Sequence, residues 1–224
     1  MTRHFLFILL TLTCVTARAQ GFIGSANLKG GIPMGDFSRT AGDIIVPEIS
    51  FLVMYQLRDF PILVGAEYGY ARYGTNLSKR DDVLGAVNQT MRVRRNNNLL
   101  SLMGVIRLVP EVNAKIKPFF EGQIGVYHPF TKVTIKETAF SDTFAAGTEF
   151  FDWGLAYQGG GGFFIPLGKD TFLEFKLNYV LTNRMDYLTK EDAVYLPDGE
   201  VEFFPRRSSF HMLQPGIGVS FFLD

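Results

Sequence analysis

Cysteine is almost missing from this chain: Cys14 is the only one in 224 residues. It lies within the first twenty residues, so the rest of the chain has neither a disulfide framework nor a thiolate metal site available to it. Histidine is scarce as well, with only His4, His128 and His211. Net charge is lacking too, since 22 Lys and Arg stand against 22 Asp and Glu. A nucleic-acid binder needs a concentrated basic face, and this balance argues against nucleic acid as a partner. No segment keeps an apolar period of 3.6 residues over the length of a helix, so a helical bundle is excluded as well.

What is present begins at the N-terminus. "MTRHFLFILLTLTCVTARAQ" has Arg3 and His4, an apolar run from Phe5 to about Val15, and Ala17-Arg18-Ala19. That is the order of a cleaved secretory signal, and its apolar run is too short for an ordinary membrane-spanning helix. The expected division is a signal peptide over 1–19 and one domain over 20–224. Lipidation at Cys14 is the competing reading; Thr13 before it is bulkier than such sites usually carry. Removing 1–19 takes away Arg3 and Arg18 and no acid, which leaves 20 basic against 22 acidic side chains.

Phenylalanine is abundant, at 22 residues, and these must be placed somewhere. Period-two alternation occurs in eight segments, near 21–32, 44–58, 61–73, 98–108, 116–128, 150–166, 171–182 and 209–223. One alternate set in each is apolar, as in Ile49, Phe51, Val53 and Tyr55, or Leu173, Phe175, Leu177 and Tyr179. The complementary set carries Lys29, Glu48, Arg58, Glu67, Arg107, Glu121, Asp152, Glu174 and Lys176, mixed with glycine, serine and alanine. Arg72 and His128, at strand ends, fall on the apolar side.

Two arrangements bury one set and expose the other. A soluble sandwich would wet the charges. A membrane barrel turns the apolar set to lipid, because a basic side chain facing lipid at mid-depth costs about 2–4 kcal/mol. The apolar set is too bulky for the narrow lumen of eight strands, whereas small residues with opposite charges fit it. The connections agree: those near 33–43, 74–97, 129–149 and 183–208 are long, while "RDFP", "VPEVNAKI" and "GKD" are short. The expectation is all-β, an eight-stranded antiparallel up-and-down transmembrane β-barrel with short periplasmic turns and long extracellular loops.

Within it, "QGGGGFFIPLGKD" at 158–170 reads as strand and turn. A phosphate loop would need its glycines to lead into a helix, whereas glycines inside a strand mark a bend or a close backbone approach. Pro47, Pro118 and Pro215 read as bulges or strand ends.

The signal peptide, the opening "LKGGIPMGDF" at 28–37 and the closing strand "LQPGIGVSFFLD" together resemble the small, porin-like outer-membrane β-barrel proteins common in Bacteroidota. Such barrels usually end on an aromatic residue, whereas here Phe221-Phe222 are followed by Leu223 and Asp224. The resemblance implies the bacterial outer membrane after signal cleavage. It implies fold and location more than activity, and some relatives are accessory parts of secretion or assembly machines.

The nine charges of the complementary set read as a salt-bridge network closing the lumen, with a gated polar path for small solutes as the alternative. "MRVRRNNN" places Arg92, Arg94 and Arg95 near the outer rim, with Lys79 and Arg80 in the same connection. Their expected partners are phosphates of outer-membrane lipid, including lipopolysaccharide. Asp186, Glu191, Asp192, Asp198, Glu200 and Glu202 make the last long connection acidic, without the spacing of a calcium loop. Asn88-Gln89-Thr90 matches a glycosylation acceptor, of little weight in a bacterium. For catalysis the chain offers His211 near Ser208 and Ser209, and His128 near Thr131, and no motif fixes a nucleophile. No catalytic residue, cofactor or metal ligand is assigned. The function expected is a non-enzymatic structural or interaction component, with other envelope proteins as further partners in a larger secretion or assembly complex. A narrow channel or transporter for small or amphipathic solutes is the alternative, and a lipid-modifying enzyme comes third.

Overall fold

A computed structural model describes residues 21–42, 44–58, 60–80, 91–138, 141–189, 192–195 and 201–223. The expected leader with Cys14, the Asn88–Thr90 motif, and Glu191, Asp198 and Glu200 lie outside them, as does the side chain of Arg80.

Eight strands close on themselves. They are β1 (Phe22–Met34), β2 (Val46–Gln56), β3 (Ile62–Arg80), β4 (Met91–Leu108), β5 (Lys117–Lys136), β7 (Gly154–Pro166), β8 (Thr171–Thr182) and β13 (His211–Leu223). Each pairs antiparallel with the next, and β1 pairs with β13 from Phe22 opposite Leu223 to Met34 opposite His211. The result is an antiparallel eight-stranded barrel with no open edge around its waist. The alternation sets the faces. Leu102, Ile106, Phe120 and Ile124 are more than half exposed on the outside, while Glu67, Arg107 and Glu174 are at most 1% exposed within.

Above the belt the expected loops are largely strand. β3 continues to Arg80 past a bulge between Arg72 and Gly74, and β4 begins at Met91. β5 runs to Lys136 and pairs there with β6 (Thr143–Phe151). The expected connections 74–97 and 129–149 are thus mostly a four-stranded wall rising over the barrel. Apolar alternation fades there, yet residues such as Val93, Val133, Thr134 and Ile135 still favour extended backbone. The segment expected as one strand over 150–166 is broken at Asp152–Trp153 into β6 and β7.

The other two long connections fold over the same end. α1 (Gly35–Ala41) inserts Phe37 into the mouth, where its ring lies 4.2 Å from that of Phe210 and 5.7 Å from that of Tyr187. The segment 183–208 forms two hairpins, β9 (Arg184–Tyr187) with β12 (Arg206–Ser209), and β10 (Ala193–Tyr195) with β11 (Val201–Phe203). Phe37, Tyr73, Leu99, Met103, Tyr127, Val180, Met185, Tyr187, Phe210 and Met212 form one buried apolar plug. Ile23, Leu52, Met54, Leu63 and Val105 form a second towards the short-turn end.

The four glycines lie inside β7. At Gly160 and Gly162 a Cβ would strike the backbone carbonyls of Leu177 and Phe175, so close approach of β7 to β8 demands glycine there. Pro47 and Pro118 are each the second residue of a strand. Pro215 is neither bulge nor strand end: it sits within β13 opposite Leu177, where the β1–β13 ladder skips Gly30 and Gly31.

Candidate functional site

Between the two apolar plugs lies a layer of charge. Inward-facing positions of six strands supply it, since period two sends every second side chain to the axis. Lys29 of β1 meets Glu48 of β2 at 3.2 Å and also the Glu67 carboxylate of β3. Lys176 of β8 lies 3.5 Å from Glu67 and 3.7 Å from Glu174. Arg107 of β4 donates to Glu174 at 2.8 Å and to Glu121 of β5 at 2.6 Å and 3.0 Å. Its guanidinium also stacks 4.0 Å from the Phe119 ring centroid. Gln123 donates to both Glu67 and Glu121, Asn178 to Glu121, Gln214 to Glu48, and Ser220 to Glu174.

Seven of the nine expected lumen charges therefore meet, and two do not. Arg58 is exposed at the short-turn end, beyond the last paired residue of β2, where the chain has left the wall. Asp152 sits at the break between β6 and β7. Its carboxylate accepts from the backbone N–H of Trp153 at 2.8 Å and of Asp186 at 2.7 Å, so it fastens a loop and lines no lumen.

The outer wall carries a second group. Beyond the bulge in β3, Lys79 stands opposite Arg92, and Arg92 stands opposite Lys136. One residue pair lower, Leu77, Arg94 and Thr134 form the next row, followed by Thr75, Asn96 and Lys132. Directly opposed residues share a face, so these side chains point away from the barrel axis together. An outer groove of about 420 Å³ is lined by Thr75, Leu77, Arg92, Arg94, Asn96, Thr134, Lys136 and Thr138, with no acid among them. Arg95 departs from expectation. Its neighbour Arg94 faces out, so Arg95 faces in, where it is 2% exposed and donates to the Thr189 carbonyl at 3.2 Å. Lys132 and Lys136 were not singled out in the sequence, because only pairing with β4 brings them to this face.

The acidic segment is tied down internally. Burial alone would push the Asp192 carboxyl up. Hydrogen bonds from Arg206 at 2.7 Å and from the Thr189 backbone N–H at 2.8 Å outweigh it and hold the group below its ordinary value. Asp186 lies 3.8 Å from Arg207. No group of three potential metal ligands occurs among the described residues. His128 is stacked against Trp153 at 3.9 Å and Phe130 at 5.6 Å, with its Nδ1 2.8 Å from the Asp152 carbonyl. Ser208, the expected neighbour of His211, instead bonds the Tyr187 hydroxyl at 2.7 Å.

A cavity of about 590 Å³ opens at the short-turn end, lined by Ile23, Leu63, Val109, Phe164, Phe172 and Phe222 among others. Its lining includes Ser220, which donates to Glu174 of the charge layer at 2.8 Å, and Phe164, which packs against Phe119 at 4.8 Å.

No family model matches the sequence, and no curated protein matches it. Among solved structures, Neisserial surface protein A is 9% identical over 91% of this chain and 98% of its own, with a TM-score of 0.50. The attachment invasion locus protein Ail of Yersinia pestis is 12% identical over 90% of this chain and 99% of its own, at 0.42. The outer membrane protein OprG of Pseudomonas aeruginosa is 14% identical over 93% and 99%, at 0.40. At such identities the likeness is one of fold.

Proposed function

We propose that this chain is an integral outer-membrane protein without catalytic activity that acts through the wall and rim of its long-loop end as an interaction component. The belt supports the membrane assignment. On β4 the outward apolar residues run from Leu100 to Leu108, and eight steps of about 3.4 Å tilted by about 40° rise roughly 20 Å, close to the apolar band of such barrels. An exterior this apolar does not stay dispersed in water. The termini and short turns then face the periplasm, and the wall faces outward. The resemblance of "LKGGIPMGDF" and the closing strand to Bacteroidota barrels fits this location.

One observation carries the interaction reading: the row Lys79, Arg92 and Lys136. Like charges directly opposite one another destabilise a sheet, and an external anion relieves that cost. Lipopolysaccharide phosphates just above the belt are the partner of matching chemistry, met by guanidinium forks and ammonium groups. The test is the lipopolysaccharide phosphate that co-purifies per barrel in mild detergent. The triple variant Arg92→Gln, Arg94→Gln, Lys136→Gln should lose most of it, and unchanged retention removes the reading.

The channel alternative is disfavoured by the two plugs, and planar-bilayer recordings of the wild type and Glu67→Ala should both stay silent. Membership of a larger secretion or assembly complex is tested by mild-detergent capture and mass spectrometry. A reproducible stoichiometric partner supports it.

A further inference from the structure

The lumen chain begins and ends on a carboxylate. In order along it stand Glu48, Lys29, Glu67, Lys176, Glu174, Arg107 and Glu121, four acids and three bases. Among the described residues the layer is therefore one positive charge short. Arg95 also faces inward, but it is held at the mouth by Thr189 and lies over the Phe203 ring, so it does not join the chain. An uncompensated charge in a site this dry is costly enough that something neutralises it.

The neutral side chains carry the same imbalance. Gln214, Asn178 and Gln123 each commit their amide N–H groups to a carboxylate, at 2.8 Å, at 2.6 Å, and at 3.0 Å and 3.1 Å. The carbonyl oxygen of each finds no donor among the described residues; on the donor side, Asn27 Nδ2 and Arg107 Nη1 of the lumen stand likewise unmatched there. Gln214 and Asn178 are 1% exposed and Gln123 is 6% exposed. Buried acceptors without a donor are uncommon in folded proteins. Surplus negative charge beside surplus oxygen acceptors suits a hard cation. A deficit of one charge suits a monovalent ion, and no three acids converge among the described residues to hold a divalent one.

The four carboxylates are not equally served. Glu67 meets two lysines and Gln123; Glu174 meets Arg107, Lys176 and Ser220; Glu121 meets Arg107 twice with Gln123 and Asn178. Glu48 has Lys29 on Oε1 and the Gln214 amide on Oε2.

We propose that the lumen binds one small monovalent metal cation, of sodium or potassium size, at the Glu48 end of this chain, on Glu48 Oε2 and the Gln214 carbonyl oxygen. Glu48 lies on β2 and Gln214 on β13, the two neighbours of β1, so the ion staples the seam at which the barrel closes. The site is independent of the outer wall and of what binds there.

Because the charged side chains of the layer are at most 1% exposed, the ion enters as the barrel folds, and the test is refolding. The chain is unfolded in urea and refolded into micelles in sodium, potassium or choline chloride at equal ionic strength. Choline is too large for the packed lumen. The unfolding midpoint should be several degrees higher in sodium or potassium than in choline, and Glu48→Gln should abolish that difference. Equal midpoints in all three salts overturn the proposal, as does a difference that survives Glu48→Gln. A midpoint that follows pH alone also overturns it, since a proton then supplies the missing charge. If Glu48→Gln does not refold, wild-type crystals grown in thallium(I) decide: an anomalous peak beside Glu48 and Gln214 supports the site, and its absence overturns it.

Discussion

Two groups of charged residues in this barrel use the same side chains and are held in opposite ways. In the lumen, Lys29, Lys176 and Arg107 each contact two carboxylates, with side chains at most 1% exposed. On the outer wall, Lys79, Arg92 and Lys136 stand opposite one another across three strands, above a groove lined without acids. Burial explains the first arrangement, because a dry cation survives only beside an anion. Solvent screening permits the second, since exposed like charges repel weakly once ions surround them. The lumen charges consequently serve the fold, and the wall charges remain available to something outside it.

The sharpest way to break this comparison is to remove one lumen cation. Arg107→Met leaves Glu121 and Glu174 facing each other without their shared guanidinium, and loss of one partner from a buried pair costs about 3–5 kcal/mol. Urea unfolding of the barrel in lipid vesicles should read that loss. A loss below about 1 kcal/mol would mean that these charges behave as surface pairs do, and the distinction would collapse. A smaller effect sharpens it: in a double-mutant cycle, Lys29→Met with Glu67→Gln should cost less than the sum of the two single changes, because both remove the same direct contact.

How much of this could be read beforehand differs between the two groups for a physical reason. An apolar exterior around a charged lumen writes a strict binary pattern, so the eight strands and the inward side of Lys29, Glu67, Arg107 and Lys176 were legible from alternation alone. Arg58 and Asp152 kept the right parity but lie where the wall has ended, and parity carries no information about height along the axis. The apolar plugs were missed because Leu52, Met54 and Val105 sit on strands that are apolar on both faces, where alternation says nothing. Above the belt the pattern lapses. Lys132 and Lys136 came into the basic face only through the register of β5 on β4, and Arg95 left it because consecutive strand residues point to opposite sides.

At the mouth, Asp192 and Arg206 fall between the two groups: the carboxylate is buried and the guanidinium half exposed. The folded-state Asp192 carboxyl is held below its ordinary value, so its contribution is present above the unfolded value of about 3.9 and is lost as pH falls through the folded value. Partial exposure of Arg206 limits the effect to about 1 kcal/mol or less. Hydrogen exchange of the Thr189 amide, which donates to Asp192, should accelerate relative to its neighbours in Asp192→Asn at neutral pH. If protection there is unchanged, the aromatic plug alone holds the segment.

The smallest effect on stability should come from the wall, and there its sign is informative. Arg92 has a cation opposite it on each side, Lys79 on β3 and Lys136 on β5. Arg92→Gln removes both repulsions and should therefore leave the barrel unchanged or stabilise it by a few tenths of a kcal/mol. The same substitution should weaken lipopolysaccharide retention, and the wild-type retention should fall with rising salt. A residue whose removal helps the fold and harms retention is held in place by what it binds. If Arg92→Gln instead destabilised the barrel by more than about 1 kcal/mol, the wall cations would be paired within the protein as the lumen cations are, and the two groups would be one.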